Sequence, residues 1–340
     1  MQFLEVRSVR YATFEVDTPV GPLRRVGVVT GGGHLLDLNQ GYAHVLADRV
    51  DRARARVLAD AVVPPDLIAL LAGGPVSEAA IAETLEALGP VAADPAAQSL
   101  LGGRLVYSAD EVRLLSPLPR PASLRDCSAF EQHVKTATRD NVPPEWYEMP
   151  VYYKGNPESV VGTGTDIVVP PGVDRLDYEL EYAVVIGRSG SDIAEEDAAG
   201  HIAGYTVFND VSERRAQFKE IRAGLGPTKG KDTDGTNVLG PYLVTPDEWD
   251  PDKPHAMIAR VAGEEWSRGS TDTIHYSVAQ IVSHMSRRET LHVGDVIGTG
   301  TVGGGCGLEL RRYPQPGDLV ELEVEGLGVL GNRWVAQDGA

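Results

Sequence analysis

The chain has 340 residues, of which 42% are hydrophobic and 24% charged, as in globular proteins with one large core and room for a smaller domain. A net charge of −18 argues against nucleic acid as a partner, because phosphate binding needs clustered Lys and Arg. Two cysteines exclude a disulfide scaffold. The first residues show no signal-peptide pattern, and no apolar run approaches the ~20 residues of a membrane span. We therefore expect a soluble cytoplasmic protein with no membrane partner.

The first part of the chain, residues 1–113, is predicted to form a small α+β domain. Short strand-like segments broken by Gly and Pro come first, at QFLEV, YATFEV, RRVGVVT and HLLDL. A helical pattern follows over residues 42–61, and a second covers residues 77–88. No group of reactive side chains stands out in this region.

A proline-rich connector, LLSPLPRPASLRDC at residues 114–127, marks the boundary to a second domain over residues 116–335. Strand-like segments alternate there with Gly, Pro and Asp turns, at SVVGTGTDIVVPPG, DYELEYAVVIG, GYTVFNDV, GPYLVT, DVIGTGT and LVELEVEGLG. Helices are expected at about residues 128–138, 212–222 and 276–288. The sequence thus predicts a strand-rich α+β fold with a smaller N-terminal domain.

Two glutamates interrupt the apolar stretch DYELEYAVVIG at residues 177–187. Because successive side chains of a strand point to opposite faces, Glu179 and Glu181 share one face, with Cα atoms about 7 Å apart. Burial of two like charges is costly, and a hard divalent cation would offset that cost by binding their oxygens. The alternative is an exposed edge strand whose polar face bears both glutamates.

Two aspartates occupy comparable places in the sequence. Asp126 follows the connector and precedes the helix-like SAFEQHV, and Asp210 ends the apolar strand GYTVFND before the helical SERRAQ. Each could instead cap the helix that follows it. Four acids without a His/Cys cluster suit Mg²⁺ or Ca²⁺ better than Zn²⁺.

The region over about residues 115–335 resembles the fumarylacetoacetate hydrolase family. The resemblance rests on five motifs in order: DYELEYAVVIG, GYTVFNDVSERRAQ, GKDTDGTNVLGPYLVT, GDVIGTGT and PGDLVELEVEGLG. Within the family, the chain looks more similar to fumarylacetoacetases than to the shorter acylpyruvases, because of DCSAFEQHVKTATRDN, EMPVYYKGNPESVVGTGTDI and GCGLEL. The resemblance implies a C-terminal mixed β-sandwich or β-roll domain and a homodimer.

It also implies a site with three groups of residues. The metal ligands for Mg²⁺, or alternatively Ca²⁺ or Mn²⁺, would be Asp126, Glu179, Glu181 and Asp210. The catalytic residues would be His133 as general base, Glu309 as its orienting partner, and Lys231, Arg214 and Gln217 around the leaving group. The substrate contacts would be Tyr153, Thr301 and Ser128.

Those residues suit cleavage of a C–C bond in an acylpyruvate or another 1,3-diketo acid. The metal would polarise the carbonyl and stabilise the enolate that leaves, with Lys231 and Gln217 as further donors. His133 would deprotonate the attacking water, and Glu309 would fix its tautomer. The substrate would be a small anionic keto acid.

The chain departs from the family pattern around the substrate. Ser128 replaces a tyrosine of the fumarylacetoacetases, and GTVGGGC lacks the bulkier side chains found in the family. The G-x-G-x-x-G match at residues 298–303 is not taken as a dinucleotide fingerprint, because the glycines continue into GGCGLELRR, which is predicted to be a strand.

Two other functions remain open. A metal-dependent isomerase, decarboxylase or hydratase of a 2-oxo or 2-hydroxydienoic diacid would use the same metal with a different fate for the enolate. A non-catalytic binding protein with a relict pocket is the third possibility, although retention of four acids, the base and its partner argues against it.

Overall fold

The computed structural model describes residues 9–337 and has the strand-rich α+β fold that the sequence predicted. Its sheets are open. The α-helices are α1 (Leu38–Leu46), α2 (Arg52–Val62), α3 (Leu67–Ala72), α4 (Gly74–Leu88), α5 (Glu131–Thr138), α6 (Arg214–Ala223), α7 (Val278–Ser286) and α8 (Gly307–Leu310). The strands before residue 200 are β1 (Arg10–Thr18), β2 (Gly21–Val29), β3 (His34–Asp37), β4 (Val106–Ser108), β5 (Arg113–Leu114), β6 (Ser123–Cys127), β7 (Tyr152–Gly155), β8 (Val160–Val161), β9 (Ile167–Val169), β10 (Leu176–Asp177) and β11 (Leu180–Ile186). The later strands are β12 (Ile202–Asp210), β13 (Ser212–Glu213), β14 (Asn237–Val244), β15 (Ala256–Val261), β16 (Glu264–Ser270), β17 (Asp295–Gly298), β18 (Leu319–Val324) and β19 (Gly328–Ala336). The 3₁₀ turns are Gly31–Gly33, Gly89–Val91, Ala109–Glu111, Pro144–Tyr147, Pro157–Ser159, Glu195–His201 and Thr271–Thr273.

One large sheet runs through the molecule in the order β4-β3-β2-β1-β14-β12-β11-β17-β6-β7, with β5 beside β1 and β8 beside β14. The strands of the N-terminal region join it through β1, which pairs antiparallel with β14. The chain from residue 9 to residue 113 thus extends the sheet that holds the later strands. A boundary between domains near residue 113 stays a prediction.

A second sheet, in the order β16-β15-β18-β19-β9, packs on one face of the large sheet. Met257, Leu322 and Trp334 from this sheet lie in the core between the two. Helices α3 and α4 cover the other face and contribute Leu70 and Ile81 to a separate core. The central strands of the large sheet are therefore buried on both sides.

Strand β11 shows the consequence of this double burial. Val184 packs into the core between the sheets, whereas Val185 packs into the core under the helices. All seven residues of the strand are buried, so the apolar run AVVI has no polar alternation. Glu181 lies at the start of the same strand, on the face that also bears Ala183 and Val185.

Most predicted elements are confirmed. The segments YATFEV, RRVGVVT and HLLDL fall in β1, β2 and β3, and the three helices of the second region are α5, α6 and α7. The segment QFLEV lies outside the described residues.

One prediction of secondary structure in the N-terminal region is wrong in detail. The helical stretch over residues 42–61 is two helices, because the Asp51 carboxylate accepts hydrogen bonds from the backbone N–H groups of Ala53 and Arg54 and begins α2 anew. The predicted connector at residues 114–127 ends in a strand, β6. Among residues 9–337, no helix has both the length and the apolar character needed to cross a bilayer.

Double burial of β11 predicts that both of its faces contribute to stability. Val184→Ala and Val185→Ala should each lower the free energy of unfolding by roughly 1–3 kcal/mol, because each removes methyl groups from a different core. Val329→Ala on β19, where the side chain is 42% exposed, should cost less than about 0.5 kcal/mol. Urea unfolding followed by circular dichroism measures all three. An unchanged midpoint for either β11 variant would contradict burial of that face.

Candidate active site

The site lies at one end of the central strands of the large sheet, where β12, β17 and β6 end and β11 begins. Glu181 is the second residue of β11, Asp210 ends β12, and Asp126 lies near the end of β6. Strand β17 lies between β11 and β6, and its Gly298 pairs with both Ala183 and Asp126. A Cβ atom at residue 298 would lie 2.4 Å from Oδ1 of Asp126, so only glycine leaves room for that carboxylate.

Burial excludes the alternative interpretations of the four acids. Glu179 is 3% exposed and Glu181 is fully buried, so they do not lie on an exposed edge strand. Asp126 and Asp210 are also buried, and neither caps a helix. The N-cap of α5 is Phe130, and that of α6 is Glu213.

Asp126, Glu181 and Asp210 bring carboxylate oxygens within 4.8 Å of one another. Oδ1 of Asp126 and Oδ1 of Asp210 are buried and accept no hydrogen bond. Buried polar atoms normally have partners, so two such oxygens in one cluster need an explanation. Three carboxylates with free oxygens could hold a divalent cation that prefers oxygen ligands.

The protein binds both oxygens of Glu181 and the second oxygen of Asp210. Oε2 of Glu181 accepts a hydrogen bond from the N–H of Gly300 at 2.9 Å, and Oε1 accepts one from the Thr301 hydroxyl at 3.3 Å. Oδ2 of Asp210 accepts hydrogen bonds from the Tyr153 hydroxyl at 2.8 Å and from Nζ of Lys231 at 2.5 Å. These contacts fix the direction of the Glu181 and Asp210 carboxylates before any ion binds.

Glu179 is placed differently from the other three acids. Its Oε1 accepts a hydrogen bond from Arg214 at 2.6 Å, and its Oε2 is paired with Lys231. Burial alone opposes its ionisation, but Arg214, Lys231 and His133 hold the pKa of Glu179 below its ordinary value. Its assignment as a fourth metal ligand stays a prediction.

The charges in the cluster shift pKa values in both directions. Burial raises the pKa of Asp210 to about 6, although Lys231 opposes the shift. Burial and the charge of Asp210 raise the pKa of Asp126 well above its usual range, and burial with the charges of Asp126 and Asp210 does the same for Glu181. Burial would lower the pKa of Lys231, but Asp210 and Glu179 raise it, so the side chain stays cationic.

His133 and Glu309 form the expected pair. Nδ1 of His133 lies 2.8 Å from Oε1 of Glu309, and because a carboxylate only accepts, Nδ1 bears the proton. Nε2 is then the basic nitrogen, and it lies 3.9 Å from Oε1 of Glu179. Helix α5 therefore places a base next to the carboxylate cluster.

A cavity of about 310 Å³ joins these groups. Nine of the twelve predicted site residues line it: Asp126, Ser128, His133, Tyr153, Glu179, Glu181, Gln217, Lys231 and Thr301. The other three lie behind this wall: Asp210, Arg214 and Glu309. The cavity lining also includes Val151 and Pro227 from loops, Tyr152 from β7 and Ile221 from helix α6, which the sequence patterns did not indicate.

Arg214 lies deeper than its predicted place beside the leaving group. It is 1% exposed, and its guanidinium binds Asp177, Glu179 and Oε1 of Gln217. Because Oε1 of Gln217 accepts from Arg214 at 3.1 Å, the amide NH₂ of Gln217 is directed away from that contact. Arg214 thus orients two lining residues from behind.

One functional residue was missed and one element was predicted wrongly. Asp177 is fully buried and binds Arg214, and the alternation that puts Glu179 and Glu181 on one face, extended by two residues, would have indicated it. The segment GCGLELRR was predicted as a strand, but Gly307–Leu310 is helix α8. Its first N–H groups donate to the carboxylate of Asp177, a distant contact that local sequence cannot reveal.

The chain belongs to the fumarylacetoacetate hydrolase family. The sequence profile described as the fumarylacetoacetate (FAA) hydrolase C-terminal region matches residues 123–335, which hold every predicted site residue. This match confirms the predicted family and fold class. The predicted closer similarity to fumarylacetoacetases is not supported, because the relatives described next are named as tautomerases.

Two curated relatives are oxaloacetate tautomerases. YisK of Bacillus subtilis is 32% identical over 236 residues, which are 68% of this chain and 76% of the relative. The mitochondrial FAHD2A of Homo sapiens is 35% identical over 231 residues, 68% of this chain and 72% of the relative. Among solved structures, a fumarylacetoacetate hydrolase from Exiguobacterium antarcticum is 27% identical, with a TM-score of 0.70 over 97% of this chain and 100% of the other.

The carboxylate cluster predicts that divalent cations stabilise the protein. Saturating Mg²⁺ or Mn²⁺, at about 100 times the dissociation constant, should raise the melting temperature by roughly 5 °C or more. Asp126→Asn and Asp210→Asn should abolish this gain. Asp295→Asn removes a buried carboxylate on β17 that pairs with Arg125, so it should lower the melting temperature but keep the response to the cation. Equal responses in all four proteins would contradict the proposed ligands.

The raised pKa values of Asp126, Glu181 and Asp210 predict a pH dependence of stability. Between the unfolded values near ~4 and the folded value of about 6 for Asp210, the native state binds more protons than the unfolded chain. The metal-free protein should therefore lose stability as pH rises from ~5 to ~7. Glu179, whose folded pKa is lowered, is ionised in both states there and contributes nothing to the slope.

A cation binds the ionised carboxylates, so its stabilising effect should grow over the same window. Thermal unfolding at pH 5.5 and 7.5, with and without Mg²⁺, measures both slopes. A cation-induced gain that is larger at pH 5.5 would contradict the cluster as the binding site.

Proposed function

We propose that this chain catalyses the keto–enol tautomerisation of a small 2-oxo diacid, with oxaloacetate as the first substrate to test. One observation carries the proposal: the three-carboxylate cluster, with its two unpartnered oxygens, adjoins the cavity that receives Nε2 of His133. Enolisation needs both features, a place to stabilise negative charge on oxygen and a base for the adjacent carbon. Two relatives above 30% identity, both named oxaloacetate tautomerases, support this choice.

Asp126, Glu181 and Asp210 would hold the cation, for which Mg²⁺ is the first candidate and Mn²⁺ or Ca²⁺ are alternatives. When bound, such an ion supplies Lewis-acid polarisation of a keto oxygen. Lys231 adds a cationic donor whose Nζ is held between Glu179 and Asp210. Because these groups are fixed by the fold, they need little reorganisation as charge develops on the substrate.

His133 moves the proton in this proposal. Nε2 accepts a proton from the carbon next to the keto group, and the enolate oxygen then takes one from the imidazolium or from water to give the enol. In the reverse direction the enol oxygen gives up its proton, and the imidazolium returns one to the carbon. Glu309 keeps the proton of the resting imidazole on Nδ1 and stabilises the imidazolium, as the 2.8 Å contact requires. Oε1 of Glu179 lies 3.9 Å from Nε2.

The size of the cavity also supports a small substrate. Its volume of about 310 Å³ is near the lower end for ligand pockets. Val151, Ile221 and Pro227 form an apolar part of the wall, which limits water around the reacting carbon. The four-carbon skeleton of oxaloacetate suits this space.

Hydrolysis of a C–C bond in an acylpyruvate or 1,3-diketo acid is the second candidate. The pair of His133 and Glu309 favours it, because the same base could take a proton from water rather than carbon. The solved fumarylacetoacetate hydrolase, at 27% identity over 97% of this chain, also favours it. Decarboxylation or hydration would start from the same enolate. A non-catalytic protein with a relict binding pocket would show no turnover of any of these substrates. A homodimer and a cytoplasmic location stay predictions.

The test of tautomerisation is the loss of the enol absorbance of oxaloacetate with Mg²⁺. The wild-type protein should accelerate it above the rate in Mg²⁺ and buffer, and His133→Ala should lower kcat by roughly 10²–10⁴-fold. His34→Ala, a half-buried histidine on β3, should keep the parental rate. Parental turnover by His133→Ala would exclude His133 as the base.

A second assay separates the two candidates. Acetylpyruvate with Mg²⁺ is followed by pyruvate release, coupled to lactate dehydrogenase. Our proposal predicts tautomerisation of oxaloacetate with no pyruvate from acetylpyruvate above background. Pyruvate release without faster enol loss would overturn tautomerisation in favour of hydrolysis.

A further inference from the structure

Asp177 occupies an unusual position behind the active-site wall. It is fully buried on β10 and does not line the cavity. Its Oδ1 accepts a hydrogen bond from the N–H of Gly307 at 2.7 Å, and Oδ2 accepts one from Leu308 at 2.8 Å. The same carboxylate binds Nε of Arg214 at 2.8 Å. It therefore joins helix α8 to a buried arginine.

Each of these two partners leads to a different part of the site. Helix α8 bears Glu309, which orients His133. Arg214 binds Oε1 of Glu179 at 2.6 Å, and that oxygen lies 3.9 Å from Nε2 of His133. The contacts thus form a closed ring in which both nitrogens of the imidazole face carboxylates linked through Asp177.

The close fit around Asp177 shows that this link tolerates little displacement. A Cβ atom at residue 307 would lie 2.5 Å from Oδ1 of Asp177 and 2.2 Å from the backbone oxygen of Arg312. Glycine at this position lets the first turn of α8 approach the carboxylate. Without Asp177, the first N–H groups of α8 and the Arg214 guanidinium would lose a buried partner, which is costly.

We propose that Asp177 is a positioning residue that fixes the Glu309–His133 pair, and through Arg214 the Glu179 carboxylate, for proton transfer. The inference rests on the proposed role of His133 as the base. Asp177 touches neither substrate nor cavity, so its effect reaches the reaction only through these neighbours. Loss of an outer partner of this kind lowers activity by about 10–100-fold in metal sites.

The test compares Asp177→Asn with a matched control. Asp37 is also fully buried, binds Arg25, and accepts a hydrogen bond from the N–H of Gln40 in helix α1, far along the sheet from the site. Both variants should lose stability. Asp177→Asn should lower kcat about 10–100-fold with a KM within about threefold of the parental value. Asp37→Asn should keep the parental kcat.

A double-mutant cycle separates positioning from a general loss of structure. Because Asp177 acts in part through Glu309, adding Asp177→Asn to Glu309→Gln should lower kcat by a smaller factor than Asp177→Asn does in the parental protein. Independent effects would instead multiply and would overturn the proposal. Gly307→Ala keeps the charges of Asp177 and Glu309 but moves α8 away from Asp177, so it should reproduce the loss of kcat if Asp177→Asn fails to fold. A parental kcat in Gly307→Ala would contradict the proposed role of the contact between Asp177 and α8.

A readout without turnover keeps this inference distinct from the proposed function. In protein labelled with ¹⁵N-histidine, the Nδ1–H signal of His133, assigned by its absence in His133→Ala, reports the bond to Glu309. It should be retained in Asp37→Asn and lost or shifted in Asp177→Asn and Glu309→Gln. An unchanged signal in Asp177→Asn would overturn the positioning role even if no substrate is found, whereas loss of the signal without any turnover would refute only the proposed reaction.

Discussion

Repulsion between buried carboxylates is the constraint on which this site depends. Five buried acids meet where the central strands end, and two buried cations accompany them: Asp126, Asp177, Glu179, Glu181 and Asp210, with Arg214 and Lys231. At the 4.8 Å that bounds three of the acids, two full charges repel by roughly 3 kcal/mol at an effective dielectric constant near 20. Arg214 and Lys231 offset the charge of Glu179, whereas burial and the charges of Asp126 and Asp210 raise the pKa of Glu181. A divalent cation bound to these carboxylates would offset the repulsion among them.

The sheet makes this arrangement possible. Packing of a second sheet on one face and of helices on the other buries β11 completely, so its acids cannot turn to solvent. Strand β12 beside β11 supplies Asp210, strand β6 beyond β17 supplies Asp126, and Gly298 of β17 leaves room for the Asp126 carboxylate. Rigid strands therefore hold the ligands, while α5 and α8 bring the base and its partner from outside the sheet.

The sequence revealed those features that depend on local geometry. Alternation put Glu179 and Glu181 on one face, and the ends of apolar strands indicated Asp126 and Asp210. The pairing of His133 with Glu309 came from the family resemblance, since 176 residues separate them and no local pattern joins them. The helical state of Gly307–Leu310 could not be predicted, because its first N–H groups are bound by Asp177 from a distant strand. The position of Arg214 behind Glu179 could not be predicted either, because it depends on tertiary contacts.

The most direct measurement of the central claim is hydrogen–deuterium exchange at the carbon next to the keto group. Oxaloacetate in D₂O with Mg²⁺ is followed by ¹H NMR, with wild-type protein, with His133→Ala, and without protein. If His133 moves the proton on a site built by the carboxylate cluster, the wild-type protein should accelerate exchange above the background, and His133→Ala should return it to the background rate. Equal acceleration by both proteins, or none by the wild type, would contradict this account.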